Sequence, residues 1–157
     1  MYQKIFAQEK DSEVVIIDID EQSLGKFGQF PWNRTVFAKI LDQLNTATPK
    51  AIGFDIFFTE KDKQSPEEII KSYNLIPSDI TELQKLKGPD DLFAEKLKES
   101  KSVIAVLGSN VPSHSNYDRK AKARFLSKGG EPKQFTYSYP FSIGSLEKLE
   151  KNVQGLG

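Results

Sequence analysis

Ala51-Ile-Gly-Phe-Asp-Ile-Phe-Phe58 is an apolar run interrupted by a single carboxylate. Its length suits a buried strand and falls short of a helix. Just before it, Val36, Phe37, Ile40, Leu41 and Leu44 recur at helical spacing, with Lys39, Asp42 and Gln43 opposite. The spacing predicts an amphipathic helix, capped at its start by Asn33 and stopped by Pro49. Val14-Val-Ile-Ile-Asp-Ile-Asp20, rich in β-branched residues, predicts an earlier strand, and Ser102-Val-Ile-Ala-Val-Leu107 a later one.

Between the second and third of these runs lie polar segments with helical signatures, around Pro66 to Tyr73, Asp79 to Lys87 and Asp91 to Glu99. Only the last has a firm apolar face, Leu92, Phe93 and Leu97, and Asp90 or Asp91 after Gly88-Pro89 is a good helix start. Near-continuous apolar strands alternating with helices imply an α/β fold, a mainly parallel sheet with helices on both faces in a β-α-β-α-β core. Gln134-Phe-Thr-Tyr-Ser-Tyr139 alternates and reads as an antiparallel edge strand, and Ile143 to Val153 as a final helix. Residues 110–133 are polar and Gly-broken, a loop excursion.

Composition narrows the function classes. The chain has 157 residues, no cysteine and one histidine, His114, which excludes disulfides, thiolate zinc sites and His-rich metal sites. It is long enough for one domain, residues 1–157, with its own apolar core. The 22 basic and 22 acidic side chains balance, which argues against nucleic acid as a partner. No apolar run reaches the roughly 18 to 20 residues that span a bilayer, and Met1-Tyr-Gln-Lys-Ile-Phe6 does not begin a signal peptide. The balance is uneven along the chain: residues 1–60 carry 6 basic and 9 acidic groups, residues 101–157 carry 9 and 4. The basic excess sits around Arg119, Lys120, Lys122, Arg124 and Lys128, either a solvated loop or a patch for anions or a membrane surface.

Three carboxylates interrupt the apolar strands: Asp18, Asp20 and Asp55. Ligands of open parallel sheets bind beyond the carboxyl ends of the strands, which makes Asp20 the best placed of the three. These carboxylates either bind a ligand or accept hydrogen bonds from loop amides and helix N-termini, or pair with Arg34. Trp32 anchors the turn between strand and helix, and Arg34 opens the helix beside it, as salt-bridge partner of Asp20 or Asp55 or as part of an anion site at the helix N-terminus. Asn33-Arg34-Thr35 is formally a glycosylation sequon, but a helix cap explains Asn33 better.

Ile16-Ile-Asp-Ile-Asp20 resembles the first motif of the haloacid dehalogenase phosphatases. That resemblance implies a metal-dependent phosphatase with Asp18 as nucleophile and Asp20 as proton donor. It breaks at Gln22, where the family has Thr or Val, and no later strand supplies the remaining motifs. A longer resemblance runs through Val15-Ile-Ile-Asp-Ile-Asp20-Glu-Gln-Ser23-Leu24, Phe30-Pro31-Trp32-Asn33-Arg34, Leu41-Asp-Gln-Leu44 and Ala51-Ile-Gly-Phe-Asp55-Ile-Phe-Phe58. In order and character these motifs resemble the CHASE sensor family, type two, across essentially the whole chain.

The resemblance implies an extracytoplasmic sensor on the periplasmic or outer side of a bacterial plasma membrane. It would be joined through transmembrane helices to an adenylate or diguanylate cyclase, a histidine kinase or a serine/threonine kinase. It implies no catalytic residue, metal or cofactor in the domain itself. A small-molecule or envelope ligand is expected at Asp20, Ser23, Trp32, Arg34 and Asp55, and a homodimer is compatible with the reading. Because the family continues beyond the segment matched by Gly155-Leu-Gly157, the chain reads as a fragment whose membrane spans lie outside it.

Overall fold

The computed structural model describes residues 14–112, 119, 122, 128–130 and 136–157. Tertiary contacts group the chain into two units, Met1–Trp32 and Asn33–Gly157.

In the first unit, Val14 to Asp20 does not form the expected strand. Val14, Val15, Ile16 and Ile17 are exposed, and the two sheets of the described residues do not include them. β-Branched residues favour strands through packing on a pleated, half-covered surface, and these four side chains are left exposed. A short helix missed by pattern reading follows, α1 (Glu21–Phe27). Asp20 caps it and Gly28, at φ 87°, ends it in a conformation that side chains resist. The Phe30–Pro31 peptide is cis, and the buried Trp32 closes the turn by donating its indole N–H to Gly28 O at 2.7 Å. The Phe27 and Phe30 rings lie against Trp32 at 5.3 and 6.3 Å.

The second unit is mixed α/β. Its elements are α2 (Arg34–Thr46), β1 (Ile52–Phe54), α3 (Pro66–Ser72), α4 (Pro77–Gln84), α5 (Pro89–Glu99), β2 (Ser102–Ile104), β3 (Leu107–Ser109), β4 (Phe141–Ile143), α6 (Glu147–Asn152) and β5 (Gly155–Leu156). A parallel sheet of three strands runs β1-β2-β5, with Gly53 opposite Val103 and Ile104 opposite Leu156. Among the described residues antiparallel pairing is confined to a separate two-stranded sheet of β3 and β4, with Gly108 opposite Ser142. The edge strand expected over Gln134 to Tyr139 therefore falls later, at Phe141–Ile143. Residues 134 and 135, His114 and most of the 110–133 excursion lie outside the described residues.

The expected strands are shorter than the apolar runs. The run from Ala51 to Phe58 pairs only at Ile52–Phe54, because its later residues leave the sheet and drop Phe58 into the core. The run after Ser102 divides between β2 and β3, one in each sheet. Three of the helices begin with proline at the first position, α3, α4 and α5, where the missing N–H is not needed.

The core lies where α2, α5 and α6 pack side by side, α2 on α5 and α5 on α6. Phe37, Leu41, Phe58, Phe93, Leu97, Ile104 and Leu149 are all buried. Phe37, Phe58 and Phe93 form a ring triangle with centroid separations of 5.0, 5.1 and 5.8 Å, and Phe54 joins through Phe93 at 5.8 Å. Edge-to-face contacts of this kind add to the area buried.

Candidate functional site

The loop leaving β1 meets the first turns of α2 and α5. In parallel α/β arrangements helix N-termini gather beyond the carboxyl ends of strands, and that is where ligands are bound. Asn33 caps α2: its side-chain oxygen accepts from Thr35 N at 2.7 Å and Thr35 Oγ1 at 2.6 Å. Its amide nitrogen donates outward to Asp62 Oδ1 at 3.1 Å and Gln64 Oε1 at 2.8 Å. The sequon asparagine is thus fully employed as a cap and a clamp.

Asp62 is the hinge pin of this corner. Its carboxylate accepts from Arg34 N at 2.6 Å and from Gln64 N at 2.8 Å, in addition to Asn33. Its own N–H donates to Asp90 Oδ2 at 2.9 Å, in the first turn of α5. One residue of the loop therefore ties the N-terminus of α2 to that of α5. Both helix ends favour a carboxylate, since their free N–H groups carry partial positive charge.

Arg34 lies across the same corner. Its Nε is 3.4 Å from Asp90 Oδ1, its Nη2 donates to Glu60 O at 2.9 Å, and its guanidinium stands 4.7 Å above the Phe58 ring. Burial pulls the Arg34 pKa down, against the raising influence of Asp90 and Asp62. Burial pushes the Asp90 carboxyl up, against the Asp62 N–H and Arg34. Both partners of the pair are thus driven towards their neutral forms, which means that loss of water outweighs their mutual attraction. Arg34 remains a cation nonetheless.

A third helix is joined to the corner. Phe58 O accepts from Leu146 N at 2.8 Å, Phe58 N donates to Ser145 Oγ at 3.1 Å, and Lys148 on α6 pairs with Asp91 on α5.

Of the expected site residues, Asp20, Ser23 and Trp32 belong to the first unit and Arg34 and Asp55 to the second. Asp20 and Ser23 come together, with Asp20 Oδ1 accepting from Ser23 N at 2.8 Å and Ser23 Oγ at 2.7 Å. These bonds hold the exposed Asp20 carboxyl below its ordinary range. Trp32 is spent on its own turn. Arg34 lies in the buried corner, while Asp55 is exposed just past β1 and Arg34 takes Asp90 as its ion-pair partner. Asp62 and Asp90 were missed as site residues. Asp62 sits in Glu60-Lys-Asp-Lys63, a stretch that reads as solvated loop, and Asp90 was legible only as a helix start.

The model of the CHASE2 domain family matches residues 1–151. The chain belongs to the CHASE2 domain family. Comparison with curated proteins and with solved structures returns no match.

CHASE2 domains are extracytoplasmic sensor domains of signalling proteins, and sensing rather than catalysis is their role. The phosphatase reading needed Asp18 and Asp20 at the end of a sheet strand. In this CHASE2 domain the segment before them belongs to neither sheet of the described residues, and Asp20 is occupied as a helix cap. Among the described residues no group of three or more His, Asp or Glu is arranged to hold a metal ion, and no helix is long and apolar enough to cross a membrane.

The CHASE2 domain holds a second buried ion pair. Arg119, from the basic excursion, donates from Nε to Glu150 Oε1 at 2.8 Å and from Nη1 and Nη2 to Ser142 O and Ser145 O at 3.1 and 3.4 Å. Lys122 donates to Val153 O at 2.5 Å and to Lys151 O at 3.1 Å, at the carbonyl end of α6, where a cation is favourable. Part of the basic excess thus pins α6 rather than facing an external anion.

Proposed function

We propose that the chain is the signal-input domain of a bacterial transmembrane receptor. It stands on the periplasmic or outer side of the plasma membrane and is joined to a cytoplasmic adenylate or diguanylate cyclase, histidine kinase or serine/threonine kinase. The observation that carries this reading is the family match over residues 1–151. A stimulus can alter output only through different affinities for two states of the domain. The Arg34–Asp62–Asp90 corner suits such a role because it ties two helix ends through few, highly directional bonds. A small-molecule or envelope ligand engaging Asp20, Ser23, Trp32, Arg34 or Asp55, and a homodimer as the transmitting unit, belong to the same proposal.

The test is a receptor in which this domain is fused to a kinase or cyclase reporter and exposed to metabolites, ions and peptidoglycan fragments. A stimulus-dependent output supports the reading, and constant output under every condition overturns it. A ligand whose thermal shift survives both Arg34→Ala and Asp20→Ala unchanged binds elsewhere.

A further inference from the structure

Asp62 and Asp90 bring two carboxylates to one guanidinium, Arg34, and all three residues are at most 7% exposed. With both carboxylates ionised the corner holds one negative charge in excess, and a single proton makes it neutral. The two carboxylates are not equivalent. Asp62 accepts three hydrogen bonds, from Arg34 N, Asn33 Nδ2 and Gln64 N. Asp90 Oδ2 accepts the Asp62 N–H, but Asp90 Oδ1 is buried without a hydrogen bond, as is the Arg34 Nε that it faces. A buried ionised oxygen whose cation stands at 3.4 Å without a hydrogen bond is less well stabilised than one that accepts several, which marks Asp90 as the seat of the proton.

Among the described residues, three charged groups bear on Asp90. Arg34 faces it from α2 and Asp62 from the loop after β1; Lys148 lies on α6 and is engaged with Asp91, the neighbour of Asp90 on α5. Lys148 favours the ionised form, but its side chain is 52% exposed and water screens it.

We propose that the proton is a stimulus this domain reads, with acidification closing the corner between the first turns of α2 and α5 through Asp90 and neutral pH loosening it. The proposal deepens the signal-input reading and rests on it. Its sign follows from burial, which raises the Asp90 carboxyl above its ordinary value. A carboxyl that binds its proton more tightly in the closed corner than in the opened chain stabilises the closed state as pH falls through the raised value. That stabilisation is complete below the ordinary carboxylate value and is lost as pH rises.

Thermal unfolding of the chain between pH 4 and pH 8 tests the clasp, with Asp90→Asn and Asp62→Asn beside the wild type. Relative to Asp90→Asn, the wild type should gain in Tm on acidification. Asp62→Asn, which removes the excess negative charge, should move the transition to lower pH. Parallel wild-type and Asp90→Asn curves overturn the proposal. Should Asp90→Asn not fold, the carboxyl carbon of Asp90 is titrated by NMR in the wild type: a midpoint above the ordinary aspartate value supports the proposal, one at or below it overturns it.

The reporter fusion separates this proposal from the reading beneath it. Output that differs between pH 5 and pH 7.5 and loses the difference in Asp90→Asn supports both. Output that answers another stimulus but ignores pH overturns the proton as stimulus and leaves the signal-input reading standing.

Discussion

Arg119 Nε stands 2.8 Å from Glu150 Oε1, and the two side chains are 6% and 0% exposed. The pair joins the basic excursion to α6. Removing one partner of a buried pair leaves the other charged and dry, a loss of about 3–5 kcal/mol. Arg119→Met is therefore expected to lower the urea midpoint strongly, while Lys148→Met, which breaks a half-exposed pair with Asp91, should change it little. Equal effects of the two would contradict this ranking.

Phe93 sits at the centre of the aromatic core, in ring contact with Phe37, Phe54 and Phe58 and fully buried. Phe93→Ala should cost about 3–5 kcal/mol of unfolding free energy, from lost transfer and from the cavity left behind. Equilibrium denaturation measures it directly. Phe57→Ala, on the exposed neighbour of Phe58, should stay within about 0.5 kcal/mol of wild type.

Asn33→Ala removes the α2 cap together with the clamp on Asp62 and Gln64. Cap loss alone is worth about 1 kcal/mol, and the severed link to Asp62 should bring the effect towards the upper limit of about 2 kcal/mol. Asn33→Asp keeps the cap oxygen but puts a third carboxylate beside Asp62 and Asp90. It should be no better than alanine, a result readable in the same denaturation series.

The Asp20 cap of α1 carries its own pH signature. Bonds from Ser23 depress the Asp20 carboxyl, so the cap's contribution is present above the ordinary aspartate value and is lost as pH falls through the depressed one. The Ser23 amide resonance in a pH titration reports this. The same resonance in Asp20→Asn should show no such transition.

Much of the second unit was legible in the sequence. The stripe Val36, Phe37, Ile40, Leu41, Leu44 gave α2 within two residues at either end, because a 3.6-residue period is set by the backbone itself. Gly88-Pro89-Asp90 located α5 for the same local reason, since proline and an acidic first turn suit a helix start. Strands were legible as apolar runs but not as paired segments. Val14 to Ile17 and Ala51 to Phe58 look alike in composition, yet only the second contributes to the parallel sheet. Pairing is a relation between distant segments, and neither run specifies its partner.

The site shows the same division. Arg34 was marked by its place at a helix start, whereas its partners Asp62 and Asp90 lie 28 and 56 residues further along the chain. Nothing in Glu60-Lys-Asp-Lys63 distinguishes Asp62 from its exposed neighbours. By itself the sequence determined family membership, the mixed α/β class and the helix starts, since these follow from local periodicity, capping chemistry and ordered motifs. Only the tertiary structure decided which carboxylates lose their water and which cation they face. Burial and charge pairing depend on how the loop after β1 brings the ends of α2 and α5 together, and that is a long-range consequence of packing around Phe37, Phe58 and Phe93.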